Sequence, residues 1–163
     1  MTDASGKGRP VMSAEGLAKL ETELQNLKLV KRREIAEQIK TAISYGDLSE
    51  NAEYDEAKNE QARIESQISH LENIVRNAVV IDESAISTDE VSVGSIVRVR
   101  DVDSGREMEY RVVGATEADP VSGRVSNESP IGAALLGNAK DDEVSFAIPD
   151  GMRTLRILEI RRD

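Results

Sequence analysis

The chain has no cysteine and no tryptophan, and only one phenylalanine, three tyrosines and one histidine among 163 residues. Without cysteine there can be no disulfide and no thiolate metal site, and a reducing compartment is compatible. The lone histidine, His70, sits next to Leu71 on an otherwise polar flank. With no second imidazole to share a metal, it reads as a solvated surface residue. So few aromatics cannot furnish stacking platforms for single-stranded nucleic acid, and a formal charge of −10 opposes a general electrostatic grip on duplex DNA. No apolar run approaches the ~20 residues that span a bilayer. Residues 1–11 are polar and glycine-rich, without the apolar stretch of a signal peptide. The expectation is a soluble, cytoplasmic protein with no membrane partner.

What the sequence does have is helical periodicity on both sides of Tyr45-Gly46-Asp47-Leu48-Ser49-Glu50-Asn51-Ala52-Glu53-Tyr54. Before this segment Leu17, Leu20, Leu24 and Leu27 form one apolar stripe; after it Ile64, Ile68, Leu71 and Val75 form another. The stripes mirror one another about Tyr45 or Gly46. Two helices folded back there place apolar residues opposite each other, as an antiparallel coiled coil requires. The first helix is expected over about 14–44, capped by Ser13 with Glu15 in its first turn, and ~30 residues make a rod of ~45 Å. Its register holds to Leu27 and then drifts. Lys31 and Glu34 fall where apolar residues are due, and Ile35, Ile39, Ala42 and Ile43 take over. On the returning helix the matching positions are Gln61 and Ala57, so the seam thins toward the tip. That helix is expected from about 47–50 to Asn77.

From about Ser92 the period becomes two. Val97 and Val99 alternate with Arg98 and Arg100; Met108, Tyr110 and Val112 with Glu109 and Arg111; Val144, Phe146 and Ile148 with Ser145 and Ala147. These are half-buried strands. Asp103-Ser104-Gly105 and Asp150-Gly151 supply hairpin turns. Ser129 caps a short helix that starts at Pro130 and ends at Gly137. The fold class is therefore α+β: a coiled-coil hairpin over 13–77, a linker over 78–91 and a small antiparallel sheet with one short helix over 92–163. Residues 1–12 read as a disordered tail.

The tip carries the chemistry worth weighing. Asp47 and Glu50 are three apart, so in a helix both carboxylates point the same way. One reading is a capping box, in which Asp47 caps the second helix and Glu50 reaches back. The other is a hard-cation site. Mg²⁺ takes about six oxygens, usually with only one or two protein carboxylates, so two on a solvated tip hold it only if another macromolecule completes the shell. A second ion in such a shared site organises water for phosphodiester hydrolysis. Residues 28–40 carry a net +3 and residues 41–60 a net −5. The basic run is either a solvated helix face or a contact with phosphates or an acidic partner.

Gly46-Asp47-Leu48-Ser49-Glu50-Asn51-Ala52-Glu53-Tyr54 resembles the tip motif of the bacterial transcript-cleavage factors of the GreA/GreB family. Asn77-Ala78 with Val80-Ile81 resembles that family's connector. Glu117-Ala118-Asp119-Pro120, then Ser126 to Ile131 and Leu135-Leu136-Gly137, resemble its C-terminal domain. The likeness covers nearly the whole chain from Met12. It is closer to GreA than to GreB, in part because the tip's flank is poorly basic, with Lys58 its main cation.

The resemblance implies an FKBP-like C-terminal domain that docks on the coiled coil at the rim of the RNA polymerase secondary channel, through Glu128, Ser129, Pro130 and Asp119. It implies that the helical hairpin enters the channel when the polymerase has backtracked. There Asp47 and Glu50 help to hold a shared Mg²⁺ whose principal ligands belong to the polymerase, with Lys58 near the nucleic acid and the nascent RNA 3′ end cleaved. The protein is then a monomeric cofactor of cleavage rather than an enzyme, with no tightly bound cofactor of its own. Two alternatives stand beside it. One is a Gre-fold inhibitor of polymerase, although those relatives differ in the acidic pattern of the tip. The other is a coiled-coil adaptor without metal chemistry, whose tip carboxylates are dispensable. Prolyl isomerisation needs an aromatic-lined apolar pocket, and with Phe146, Tyr110 and no tryptophan the composition argues against it.

Overall fold

A computed structural model describes residues 8–47 and 51–163. The described chain forms two compact units, one of Leu17–Asn77 and one of Ala78–Asp163 together with the segment that ends at Gly16.

The first unit is the helical hairpin. Helix α1 (Ala14–Asn26) passes through a π-helical turn (Leu27–Lys31) into α2 (Arg32–Ile43), and α3 (Ala52–Asn77) returns antiparallel to them. The π turn is the physical cause of the register drift. The Arg32 N–H donates to the carbonyl of Leu27, five residues back, which adds one residue to the turn. Leu27 and Ile35, eight apart instead of seven, then both reach the seam. Leu27, Ile35, Ala57, Ile64, Ile68 and Leu71 are buried there, with Leu20, Leu24, Ile39 and Ile74 packed against them. Ile74 therefore takes the end position that the sequence pattern gives to Val75. The seam is one side chain deep, and ion pairs run along it. Arg32 donates through two nitrogens to Glu65, at 2.8 and 2.7 Å, and Lys28 Nζ lies 2.6 Å from Glu72. The helices stop at Ile43 and resume at Ala52, which centres the reversal near Asp47, slightly beyond the Tyr45–Gly46 centre of the pattern.

The second unit is built on a five-stranded sheet. Its strands are β3 (Ile96–Asp101), β4 (Glu107–Val113), β5 (Arg124–Ser126), β6 (Glu143–Ile148) and β7 (Gly151–Arg161), in the order β5-β4-β3-β7-β6. Helix α4 (Pro130–Leu135) packs over one face. The alternating valines and isoleucines put Val97, Val99, Val112, Leu135, Leu155 and Ile157 into a core that is dry at its centre. The opposite face is a lattice of Arg98, Arg100 and Arg161 paired with Glu107, Glu109 and Glu159. Both expected hairpin turns form, and Ser129 Oγ accepts from the Gly132 N–H to cap α4.

Three expectations change. The sheet is mixed rather than antiparallel, because β5 runs parallel to β4 with Arg111 opposite Arg124. Two short 3₁₀ turns at Ala115–Glu117 and Pro120–Ser122 carry the chain back along β4 before β5 starts. Val11–Met12, placed by the sequence pattern in a disordered tail over 1–12, form strand β1, parallel to β2 (Val79–Val80), and Met12 is fully buried. A Cβ at Gly114 would lie 1.5 Å from the Val11 carbonyl oxygen, so only glycine lets β1 pass. The linker is likewise structured. Asp82 caps a 3₁₀ turn over Glu83–Ala85, and Val91 already belongs to the sheet's core.

At the foot of α1, Ser13 is the cap that the sequence pattern names. Its Oγ accepts from the Gly16 N–H at 3.0 Å. It also donates to Glu117 Oε1 at 2.5 Å, while the Ser13 N–H donates to Glu117 Oε2 at 2.9 Å.

Candidate functional site

The tip is shaped by how α2 ends and α3 begins. Tyr45 and Gly46 donate backbone hydrogen bonds to Ala42 and Ile43, and Gly46 then turns left-handed with φ +102° in open space. A left-handed residue after the last helical turn ends the helix and releases the chain from its axis. Asp47 follows at once and is exposed.

Helix α3 starts at Ala52, which makes Asn51 its N-cap residue. Asn51 Oδ1 accepts from the Tyr54 N–H at 3.1 Å, and Asn51 Nδ2 donates to the Ala42 carbonyl at 2.6 Å. One side chain thus caps the incoming helix and ties it to the last turn of the outgoing one. Small residues at Ala42 and Ala57, both buried, line the hairpin near this point. The capping-box assignment therefore changes: the cap is Asn51, four residues beyond Asp47. Glu50, the other carboxylate of that assignment and of the metal assignment, lies outside the described residues.

Behind the tip, Glu37, Glu53, Asp55, Glu56 and Glu60 line an open groove between α2 and α3, where Glu60 pairs with Arg63. Lys58 is exposed and donates to Gln61 at 3.0 Å. His70 is exposed on α3, as expected. Among the described residues no three carboxylates or imidazoles converge into a metal cage.

The basic run resolves into two kinds of charge. Lys28 and Arg32 are spent across the seam. Their partners feel it: hydrogen bonding from Arg32 holds the Glu65 carboxyl below its ordinary pKa, and Lys28 does the same for Glu72. Arg32 is raised in turn by Glu65. Arg33 and Lys40, in contrast, are exposed on α2.

The four docking residues named from the sequence flank β5. Asp119 pairs with the first residue of β5, its backbone N–H and carbonyl exchanging hydrogen bonds with Arg124 at 2.8 and 3.0 Å. Glu128, Ser129 and Pro130 lie past the other end of β5, at the foot of α4. Glu128 and Pro130 are exposed, whereas Ser129 is half-buried and occupied by its cap. The sequence pattern misses Val121, which stands 98% exposed on the turn just after Asp119. A valine between Pro120 and Ser122 gives no periodic signal that would mark it.

The chain matches family models over almost its whole length. Residues 10–80 match the N-terminal domain of a transcription elongation factor family, and residues 86–162 match its GreA/GreB C-terminal domain. It is 59% identical over 152 residues to transcription elongation factor GreA of Clostridioides difficile, covering 93% of this chain and 96% of that one. Against the protein of the same name from Clostridium novyi the identity is 58% over 151 residues, covering 93% and 95%. Among solved structures, Gfh1 of Thermus thermophilus is 28% identical with a TM-score of 0.44, covering 94% of this chain and 99% of that one.

Proposed function

The chain belongs to the GreA/GreB family of transcription elongation factors, and on that premise we propose that it stimulates Mg²⁺-dependent cleavage of backtracked RNA by RNA polymerase. The hairpin enters the secondary channel and the sheet unit docks at its rim, through Asp119 and the Glu128–Pro130 segment. The polymerase remains the enzyme; this chain contributes tip carboxylates.

The observation that carries the reading is the exposed position of Asp47 immediately past the left-handed turn at Gly46 that ends α2, beside an α3 capped by Asn51. Carboxylates are the hard oxygen donors that Mg²⁺ takes, and two of them fall well short of its shell of about six. Asp47 and Glu50 would therefore share an ion with a partner that supplies the remaining ligands. When bound, that ion polarises water for attack on a phosphodiester. This chain's own work is positional. The Asn51 bridge to the Ala42 carbonyl ties the end of α2 to the start of α3 and so holds the two helix ends that flank the tip.

The test is cleavage by a stalled, backtracked elongation complex carrying labelled RNA. Wild type should release short 3′ fragments. Asp47→Ala and Glu50→Ala should bind the polymerase as wild type does and lose cleavage by about 10²-fold or more. Mutants that cleave normally would overturn the carboxylate role, and a wild type that binds yet blocks both cleavage and elongation would identify an inhibitor instead.

A further inference from the structure

The core face of the sheet carries one polar cluster. Residues directly opposite on neighbouring strands share a face. Met108 lies opposite Val99, Tyr110 opposite Val97, Asp101 opposite Leu155 and Arg153 opposite Phe146. All four of those partners are core residues, so Met108, Tyr110, Asp101 and Arg153 are on the core side too. Strand β5 does not flank β4 at Met108 and Tyr110, because their ladder covers only Arg111–Val113. Met108, Tyr110 and Arg153 accordingly stay half-buried.

Part of the cluster serves the fold. Asp101 Oδ1 accepts from the Asp103 and Ser104 N–H groups at 2.9 and 3.0 Å and closes the β3–β4 turn, while its Oδ2 accepts from Arg153 Nε at 3.0 Å. The Ser104 N–H first, and Arg153 after it, hold the Asp101 carboxyl below its ordinary pKa. At neutral pH it is therefore ionised and balances the guanidinium. The turn asks nothing more of Arg153. Yet Arg153 Nη2 donates to Met108 Sδ at 3.2 Å, and Tyr110 Oη donates to the same sulfur at 3.4 Å.

A thioether is a weak acceptor, whereas a guanidinium and a phenol are donors that ordinarily find oxygen. Two such donors, one from β7 and one from β4, converge here on a single sulfur. One oxygen with two lone pairs would satisfy both, and a carbonyl has two. Charge favours a carbonyl over a carboxylate. Arg153 is already balanced by Asp101, the exposed Asp103 and Arg106 of the adjoining turn cancel, and Asp150 in the β6–β7 turn is a further exposed acid. No net positive charge is left to hold an anion. Met108 and Tyr110 also pack against the apolar core, a surface that suits an uncharged segment, and an unbranched methionine can turn its sulfur aside.

We propose that Arg153 and Tyr110 are a docking seat for a main-chain carbonyl in an apolar segment of the polymerase, with the Met108 sulfur as the stand-in acceptor until that carbonyl arrives. The inference rests on the function proposed above and supplies a chemistry for the docking of the sheet unit. The seat binds the partner and takes no part in the reaction at the tip.

The experiment uses the full-length chain, core RNA polymerase and a backtracked elongation complex. Tyr110→Phe removes one donor and keeps the ring; half-saturation of polymerase binding should rise about fivefold, and that of cleavage with it. Arg153→Lys keeps a cation beside Asp101 but loses the planar fork, and the rise should be about tenfold. Met108→Leu removes only the sulfur and should bind at least as tightly as wild type. Tyr110→Phe alters a single oxygen, so the test survives even where Arg153→Lys unfolds. A Tyr110→Phe variant that binds like wild type would overturn the proposal while leaving the proposed function intact. So would a Met108→Leu variant that binds as weakly as Tyr110→Phe, since the cluster would then act only through its packing. Nuclear magnetic resonance separates the two oxygen classes: N-methylacetamide should shift the Arg153 Nε–H signal more than acetate does, and the reverse order would overturn the carbonyl assignment. If wild type fails to bind polymerase at all, the proposed function and this seat fall together.

Discussion

The hairpin and the sheet unit solve the same problem with different amounts of apolar material. The hairpin buries a single row of side chains between two helices and adds ion pairs along its edge. The sheet unit closes a layered core between β-strands and α4, with Val97, Val99, Leu135, Leu155 and Ile157 sealed from water. In a one-row seam each residue supports only its neighbours, so damage should stay local. In a layered core every strand touches several others, so damage should spread. The one-row solution provides length rather than thickness at low chain cost.

Four measurements break or sharpen that contrast. Leu155→Ala, at a fully buried position, should cost the sheet unit about 3–5 kcal/mol. Amide exchange should then rise across all five strands together. Ile68→Ala should cost about 2–4 kcal/mol, with faster exchange confined to the hairpin and protection in the sheet unchanged. A single cooperative loss of both units in either variant would show the contrast to be false.

Asn51→Ala should cost about 1 kcal/mol, read as faster exchange in the first turn of α3. Asn51→Asp keeps the cap oxygen and loses only the donation to the Ala42 carbonyl, so it should cost less than Asn51→Ala. An Asn51→Ala variant as stable as wild type would remove the cap assignment.

The smallest effect is that of pH. The Glu65 and Glu72 carboxyls titrate below their ordinary value in the folded hairpin, through Arg32 and Lys28. Their contribution is present above the usual carboxylate pKa and is lost as pH falls below ~4, through the depressed values. Glu65→Gln with Glu72→Gln should flatten that part of the hairpin's stability profile. Since both pairs are solvent-exposed, added salt should shrink the difference.

Much of this architecture is legible because its signals are local. Leu27, Ile64, Ile68 and Leu71 announce the seam by spacing, Val97–Val99 and Val144–Phe146 announce strands by alternation, and Ser129-Pro130 with Gly137 brackets α4. What the sequence hides depends on partners far along the chain. The slip between Leu27 and Ile35 is visible as drift, yet only the hydrogen bond from Arg32 to Leu27 identifies it as a π turn. Strand β5 is three residues long, too short for alternation to register. The sequence pattern offers Asp47 as the cap of α3, whereas Asn51 accepts from the Tyr54 N–H. The reach of Asn51 Nδ2 to the Ala42 carbonyl across the hairpin is a tertiary contact that spacing does not encode. Asp119 and Glu128 flank β5, and the bridge that pairs Asp119 with Arg124 is one that spacing does not encode.

The short ladder between Val11–Met12 and Val79–Val80 makes the hairpin, in topological terms, an insertion whose two ends are held one strand spacing apart, ~4.8 Å. Closing such an insertion depends on the separation of its ends and only weakly on its length. Arms longer by one matched heptad each could therefore be grafted in without disturbing the ladder, Ser13 or Glu117. The reach of the rod becomes a quantity that evolution or an engineer can set separately from the fold that carries it.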